Sequence, residues 1–148
     1  MKKIYLLLAI LFTFAYADTY KAIFDCSSSD AHYIKSRMWL IGKTKKMIEA
    51  KGDKVDFVLT LHGGCVLMVS KDYDFVVKNK DVATIKEAQI LLKNLGSKQK
   101  VKVIACAMSL NHNNIDQEDV LPFIHISPNS FIDTIAYQNK GYALMTFK

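Results

Sequence analysis

The chain has 148 residues, 51% of them hydrophobic and 23% charged, with a net charge of +6, and that length admits one ordinary domain while excluding a solenoid or a pair of domains. Only 6 Gly and 2 Pro, set against 8 Phe, 7 Tyr and 1 Trp, exclude a collagen-like rod and a disordered chain, because apolar side chains run along the whole length.

Met1, Lys2 and Lys3 form a positive start, Ile4 to Tyr16 is an uncharged apolar run, and Ala15-Tyr16-Ala17 has the small-x-small form of a cleavage site. Together they predict a signal peptide over residues 1–17 and one mature domain over residues 18–148. The run is shorter than the roughly 20 residues a membrane span needs. A periplasmic or secreted protein with no membrane attachment after cleavage is therefore expected. The lysine groups at Lys43, Lys45 and Lys46 and at Lys98, Lys100 and Lys102 have no interleaved aromatics, so they read as solvated faces and nucleic acid is not an expected partner. Cys26, Cys65 and Cys106 all lie in the mature part. In an oxidising compartment, either one pair is bonded with a thiol left over, or all three serve chemistry.

In chain order, Lys21 to Cys26 reads as a first strand, followed by N-cap candidates Ser27 to Asp30. Helical spacing over Tyr33, Ile34, Met38, Leu40, Ile41, Met47 and Ile48 predicts a helix from about Ala31 to Lys51, with Gly52 as its closing glycine. Trp39 fits the same face or the core. Val55 to Leu61 is nearly continuously apolar, the pattern of a strand covered on both faces. His62-Gly63-Gly64-Cys65 breaks that strand, a short helix is possible around Val66 to Val69, and residues 71–74 read as surface loop. A second helix spans Val82 to Leu95 and closes at Gly96. Strand three is Val101 to Cys106 and strand four is Phe123 to Ile126. A last helix begins around Ser127-Pro128-Asn129 and ends before Gly141, and Tyr142 to Phe147 is the final strand. This alternation predicts an α/β fold, a doubly wound five-stranded parallel sheet with helices on both faces.

Ligands in such sheets bind beyond the carboxyl ends of the strands. Cys26, His62, Cys65 and Cys106 all fall at that rim. If strand one lies between strands two and three, Cys26 is the middle thiol and contact among the three is possible. Cys106 is the strongest candidate, since a helical turn beginning at Ala107 offers free N–H groups that stabilise a thiolate. His62 can orient or deprotonate a thiol. Asp25, on the opposite face of strand one from its neighbours, reads as a rim acid or, in preference, a loop cap, and His125 as a structural histidine inside strand four. Gly63-Gly64 matches neither phosphate-binding nor dinucleotide-binding loops, so no cofactor is expected.

The segment Val101-Lys-Val-Ile-Ala-Cys106-Ala-Met-Ser-Leu110, with Ser127-Pro128-Asn129 and the Gln138-x-x-Gly141-Tyr142 ending, resembles the DsrE/DsrF-like family, and Phe57-Val-Leu-Thr-Leu-His62-Gly63 is similar to its exported members. The resemblance implies a doubly wound fold, a homo-oligomer (trimer or hexamer) and, in the sulfur-relay members, a persulfide on the cysteine matching Cys106. Three readings follow. One is a periplasmic thiol protein, a possible sulfurtransferase-like carrier, that binds or transfers sulfane sulfur through Cys106. There Cys65 or Cys26 is the resolving thiol, His62 the base, and a donor or acceptor protein the partner. Another is a Cu(I)- or Zn(II)-binding module built on the three cysteines and His62. The third is a non-catalytic oligomeric interaction domain.

Overall fold

The computed structural model describes residues 17–147; the expected signal peptide lies outside them except for Ala17. Strands β1 (Thr19–Cys26), β2 (Lys54–Leu61), β3 (Lys102–Cys106), β4 (His125–Ser127) and β5 (Ala143–Phe147) form one parallel sheet in the order β4-β3-β2-β1-β5. They are linked by α1 (Ala31–Glu49), the single turn α2 (Tyr73–Val76), α3 (Val82–Lys93), α4 (Ala107–His112) and α5 (Ser130–Asn139). Strand one does not lie between strands two and three. The common neighbour is β2, while β1 sits between β2 and β5.

This order decides how the layers form. The steps β1 to β2 to β3 to β4 all run one way across the sheet, so right-handed connections put their helices on one face. The return from β4 to β5 runs the other way and puts α5 on the opposite face, where it touches β1, β2, β3 and β5. The larger core lies under α1 and α3 and includes Phe24, Phe57, Leu59, Leu61 and Val103 with Ile34, Met38, Ile85 and Leu92. The smaller core is Ile23, Val58 and Ile104 beneath Tyr137 and Tyr142. Because side chains alternate along a strand, coverage of both faces accounts for the unbroken apolar run of β2.

Caps set the helix boundaries. Asp30 accepts a hydrogen bond from the Tyr33 N–H at 2.9 Å and starts α1, and Asn129 accepts one from the Phe131 N–H at 2.9 Å and starts α5. Gly52 and Gly141 take φ of +90° and +81° where the chain leaves those helices. Gly96 does not act as a closing glycine: the chain after α3 continues through a wider π turn over Asn94–Lys98. A Cβ on Gly96 would stand 2.4 Å from the Phe123 ring, so that glycine serves close packing. On α1 the buried stripe is Ala31, Ile34, Met38, Ile41, Gly42 and Lys45, whereas Trp39, Leu40 and Met47 are exposed. Gly63–Val69 forms a 3-10 helix, residues 73–76 are helical rather than open loop, and His125 is an exposed first residue of β4 rather than a structural one. Among the described residues, no helix is long and apolar enough to cross a membrane.

Candidate functional site

The rim of the sheet separates the three cysteines by face. Cys26 and Cys65 belong to the larger core under α1 and α3, are fully buried, and are joined in a disulfide with a Cα–Cα distance of 5.9 Å. Cys106 is the free cysteine. In β3, Val103 and Ala105 face the larger core and Ile104 faces α5, so alternation turns Cys106 toward α5 as well. The expected crowding of three thiols is thus a disulfide on one face and a thiol on the other. Cys26 is not the middle thiol. Bonded to each other, Cys26 and Cys65 carry no thiolate for resolving a persulfide or ligating a metal. Among the described residues, no group of three or more His, Cys, Asp and Glu side chains could hold a metal ion.

Cys106 is the last residue of β3 and the N-cap of α4, with extended φ and ψ of −80° and 118° and only 4% exposure. Its side chain makes no capping hydrogen bond of ordinary geometry. Ionisation is another matter. Burial pushes the thiol up, but the backbone N–H groups of Ser109 and Ser130, with both serine hydroxyls, outweigh burial and bring it below its ordinary value. Ser109 is the third residue of α4, where a cap acceptor finds its N–H. Ser130 is the first residue of α5, brought over Cys106 because Cys106 pairs with Ser127 across β3 and β4 and Asn129 turns the chain into the helix. The Ser109 hydroxyl oxygen also accepts a hydrogen bond from the Gly63 N–H at 3.0 Å, which leaves its own proton for the sulfur.

His62 follows β2 directly, with its side chain 18% exposed, and its Nε2 lies 2.9 Å from Asp25 Oδ1. Asp25 is therefore part of the site rather than a loop cap. The Thr60 hydroxyl is 3.0 Å from the same carboxylate oxygen and 3.3 Å from the Phe24 carbonyl, and donates to one or the other. The Asp25 contact raises the His62 pKa, burial works against it, and the charges of Asp25 and of an ionised Cys106 raise it further. The two groups therefore shift toward each other, the imidazole up and the thiol down. The Phe131 ring meets the imidazole edge to face, with centroids 6.3 Å apart.

The glycines after His62 fit tightly. Gly63 has φ of +51°, and a Cβ there would stand 2.8 Å from the Ser27 carbonyl; on Gly64 it would stand 2.3 Å from Ser29 Oγ. Of the residues absent from the sequence reading, Ser109 had a signal in its spacing of three from Cys106. Asp25 was already an alternative rim acid through its odd-even parity with Cys26, a signal of the same local kind. Ser130 and Phe131 had none, since only the return of α5 across the sheet brings them to the site.

Comparison with known proteins agrees with this architecture. The model of the DsrE/DsrF-like family matches residues 21–147. The chain is similar to an uncharacterized protein of Aquifex aeolicus (strain VF5), 36% identical over 147 residues; these are 99% of this chain and 64% of that relative, so the chain spans about two thirds of the relative's length. The fold is similar to the solved structure of a protein of unknown function from Methanobacterium thermoautotrophicum, with a TM-score of 0.59 at 18% identity, covering 86% of this chain and 99% of that one. With the family match running from β1 through β5, the chain belongs to the DsrE/DsrF-like family.

Proposed function

We propose that the protein is an exported thiol protein that binds or transfers sulfane sulfur, with Cys106 as the carrier and His62 as the acid and orienting group. The observation that supports this most is the set of donors from Ser109 and Ser130 that favours ionised Cys106 in a nearly buried position. The thiolate is the nucleophilic form of cysteine. It attacks the outer sulfur of a donor persulfide, R–S–SH. The donor S–S bond breaks, a Cys106 Sγ–S bond forms, the leaving thiolate takes a proton from imidazolium His62, and Cys106 carries a persulfide. No net oxidation occurs, because one S–S bond replaces another. Transfer to an acceptor thiol is the same exchange run forward from Cys106. Periplasmic or secreted placement belongs to this proposal through the expected signal peptide.

The test is intact mass after incubation with inorganic polysulfide. One added sulfur atom on Cys106 of the unaltered protein, absent from Cys106→Ser, is expected; loading retained by that variant, or missing from the unaltered protein, overturns the reading. A second reading, a self-associating interaction domain, draws on the exposed apolar residues Phe131, Ile132 and Ile135 of α5. It expects a trimer or hexamer by sedimentation that Ile132→Asp disperses, and a monomeric unaltered protein counts against it.

A further inference from the structure

The Cys26–Cys65 disulfide has no part in the exchange just described, yet Cys65 ends the turn that carries His62 and Gly63. Cys65 opens toward the larger core, and the three residues before it form a turn fastened on both sides. On one side His62 donates its N–H to the Cys26 carbonyl at 2.9 Å, Gly64 donates to the Ser27 carbonyl at 3.3 Å, and the disulfide ties Cys65 to the end of β1. On the other side Gly63 donates its N–H to Ser109 Oγ at 3.0 Å, and Asn113 Nδ2 lies 3.4 Å from the Gly63 carbonyl while donating to the Ser109 carbonyl at 2.8 Å. The turn presents two things to Cys106, the imidazole of His62 and, through Gly63, the orientation of the Ser109 hydroxyl.

We propose that the buried Cys26–Cys65 disulfide is a positioning element for Cys106: it holds the turn at His62–Gly64 so that His62 and Ser109 face the thiol, and opening it leaves Cys106 in place but slow to react. The chain of contacts carries this. The link from Cys65 to Cys26 fixes the end of the turn covalently, whereas the N–H of Gly63, at φ +51°, reaches Ser109 only from a backbone shape that few residues adopt. A turn released at Cys65 keeps its backbone hydrogen bonds to β1 but loses the covalent constraint on its far end. The lowered Cys106 pKa and raised His62 pKa described above agree with a site assembled in this way. Opening is a thiol–disulfide exchange. A dithiol reductant loses two electrons and two protons and becomes a disulfide, while the bond between Cys26 and Cys65 breaks to give two thiols.

The inference deepens the sulfur-carrier reading but does not share its readout, because alkylation by iodoacetamide reports on the thiol whether or not sulfur is its cargo. The alkylation rate of Cys106 is followed against pH in the oxidised protein and in Cys26→Ala/Cys65→Ala, with circular dichroism as the check on folding. Expected is a midpoint moved upward in the double variant and a rate near neutral pH about tenfold lower. A folded double variant with the same midpoint and rate overturns the proposal. If that variant does not fold, the unaltered protein with its disulfide opened by a dithiol under native conditions takes its place, Cys106 alkylation being read by peptide mapping. An upward-moved midpoint supports the proposal there, and an unmoved one overturns it. Failure of polysulfide loading in the oxidised, unaltered protein sinks the carrier reading alone.

Discussion

Cys106 is asked to be both buried and ionised, two states that oppose each other in an apolar surrounding. The Ser109 and Ser130 donors resolve the conflict by replacing water around the sulfur. Since the thiol lies below its ordinary value, alkylation should reach its plateau at lower pH than for an unperturbed cysteine, near 8.5. Ser130→Ala should move that midpoint up, because one hydroxyl donor to the charged form is lost; a pH–rate profile that does not move removes Ser130 from the site. Asp25 and His62 make a second residue-scale prediction, with the opposite sign. A histidine whose folded pKa is raised adds stability that is complete below its unfolded value of about 6.5 and disappears as pH climbs through the folded value. Asp25→Asn should therefore cost about 1 kcal/mol near pH 5.5 and little once His62 is neutral in both proteins. Urea unfolding at the two pH values checks this, and an equal loss at both would show that the ion pair is not the cause.

At the scale of elements, backbone conformation and close approach separate the glycines. Gly141 has φ of +81° and open space around its missing Cβ, whereas Gly64 would place a Cβ against the Ser28 and Ser29 backbone. Gly141→Ala should cost about 1 kcal/mol for the left-handed conformation alone. Gly64→Ala carries no such backbone cost but must push β1's exit loop aside and should cost several times as much, about 3 kcal/mol. Chemical denaturation of the two variants decides it. The same contrast shows what was legible in the sequence. Helix starts were legible because capping is local: Asp30 and Asn129 sit next to the N–H groups they bind. Strand positions were legible because coverage on both faces leaves a continuous apolar run, as in β2. Gly96 was misread, because a glycine at a helix end looks the same whether it supplies a positive φ or room for the Phe123 ring. Trp39 was misread because helical spacing does not say how wide the buried stripe is.

At the scale of the molecule, the sheet order and the pairing of cysteines were beyond local reading for one reason: both depend on which way each crossover steps. Once β2 rather than β1 is central, the odd-even parity of each strand sends Cys26 and Cys106 to opposite faces, and the spare cysteine of an odd set of three becomes the one under α5. The disulfide then closes a long segment, with Cys26 and Cys65 separated by 39 residues. Closing a loop of that length restricts the unfolded chain by about 4 kcal/mol, in a molecule whose net stability is of the order of 5–15 kcal/mol. Cys26→Ala/Cys65→Ala should lower the melting temperature by roughly 10–20 °C, measured by calorimetry against the oxidised protein. Cys106→Ser, which closes no loop and exchanges one small side chain for another, should move it far less. A double variant that melts with the oxidised protein would mean that the unfolded chain already holds β1 and β2 together, so that the bond adds nothing to their pairing. In that case its place beneath the His62–Gly64 turn would have to be justified by reactivity alone.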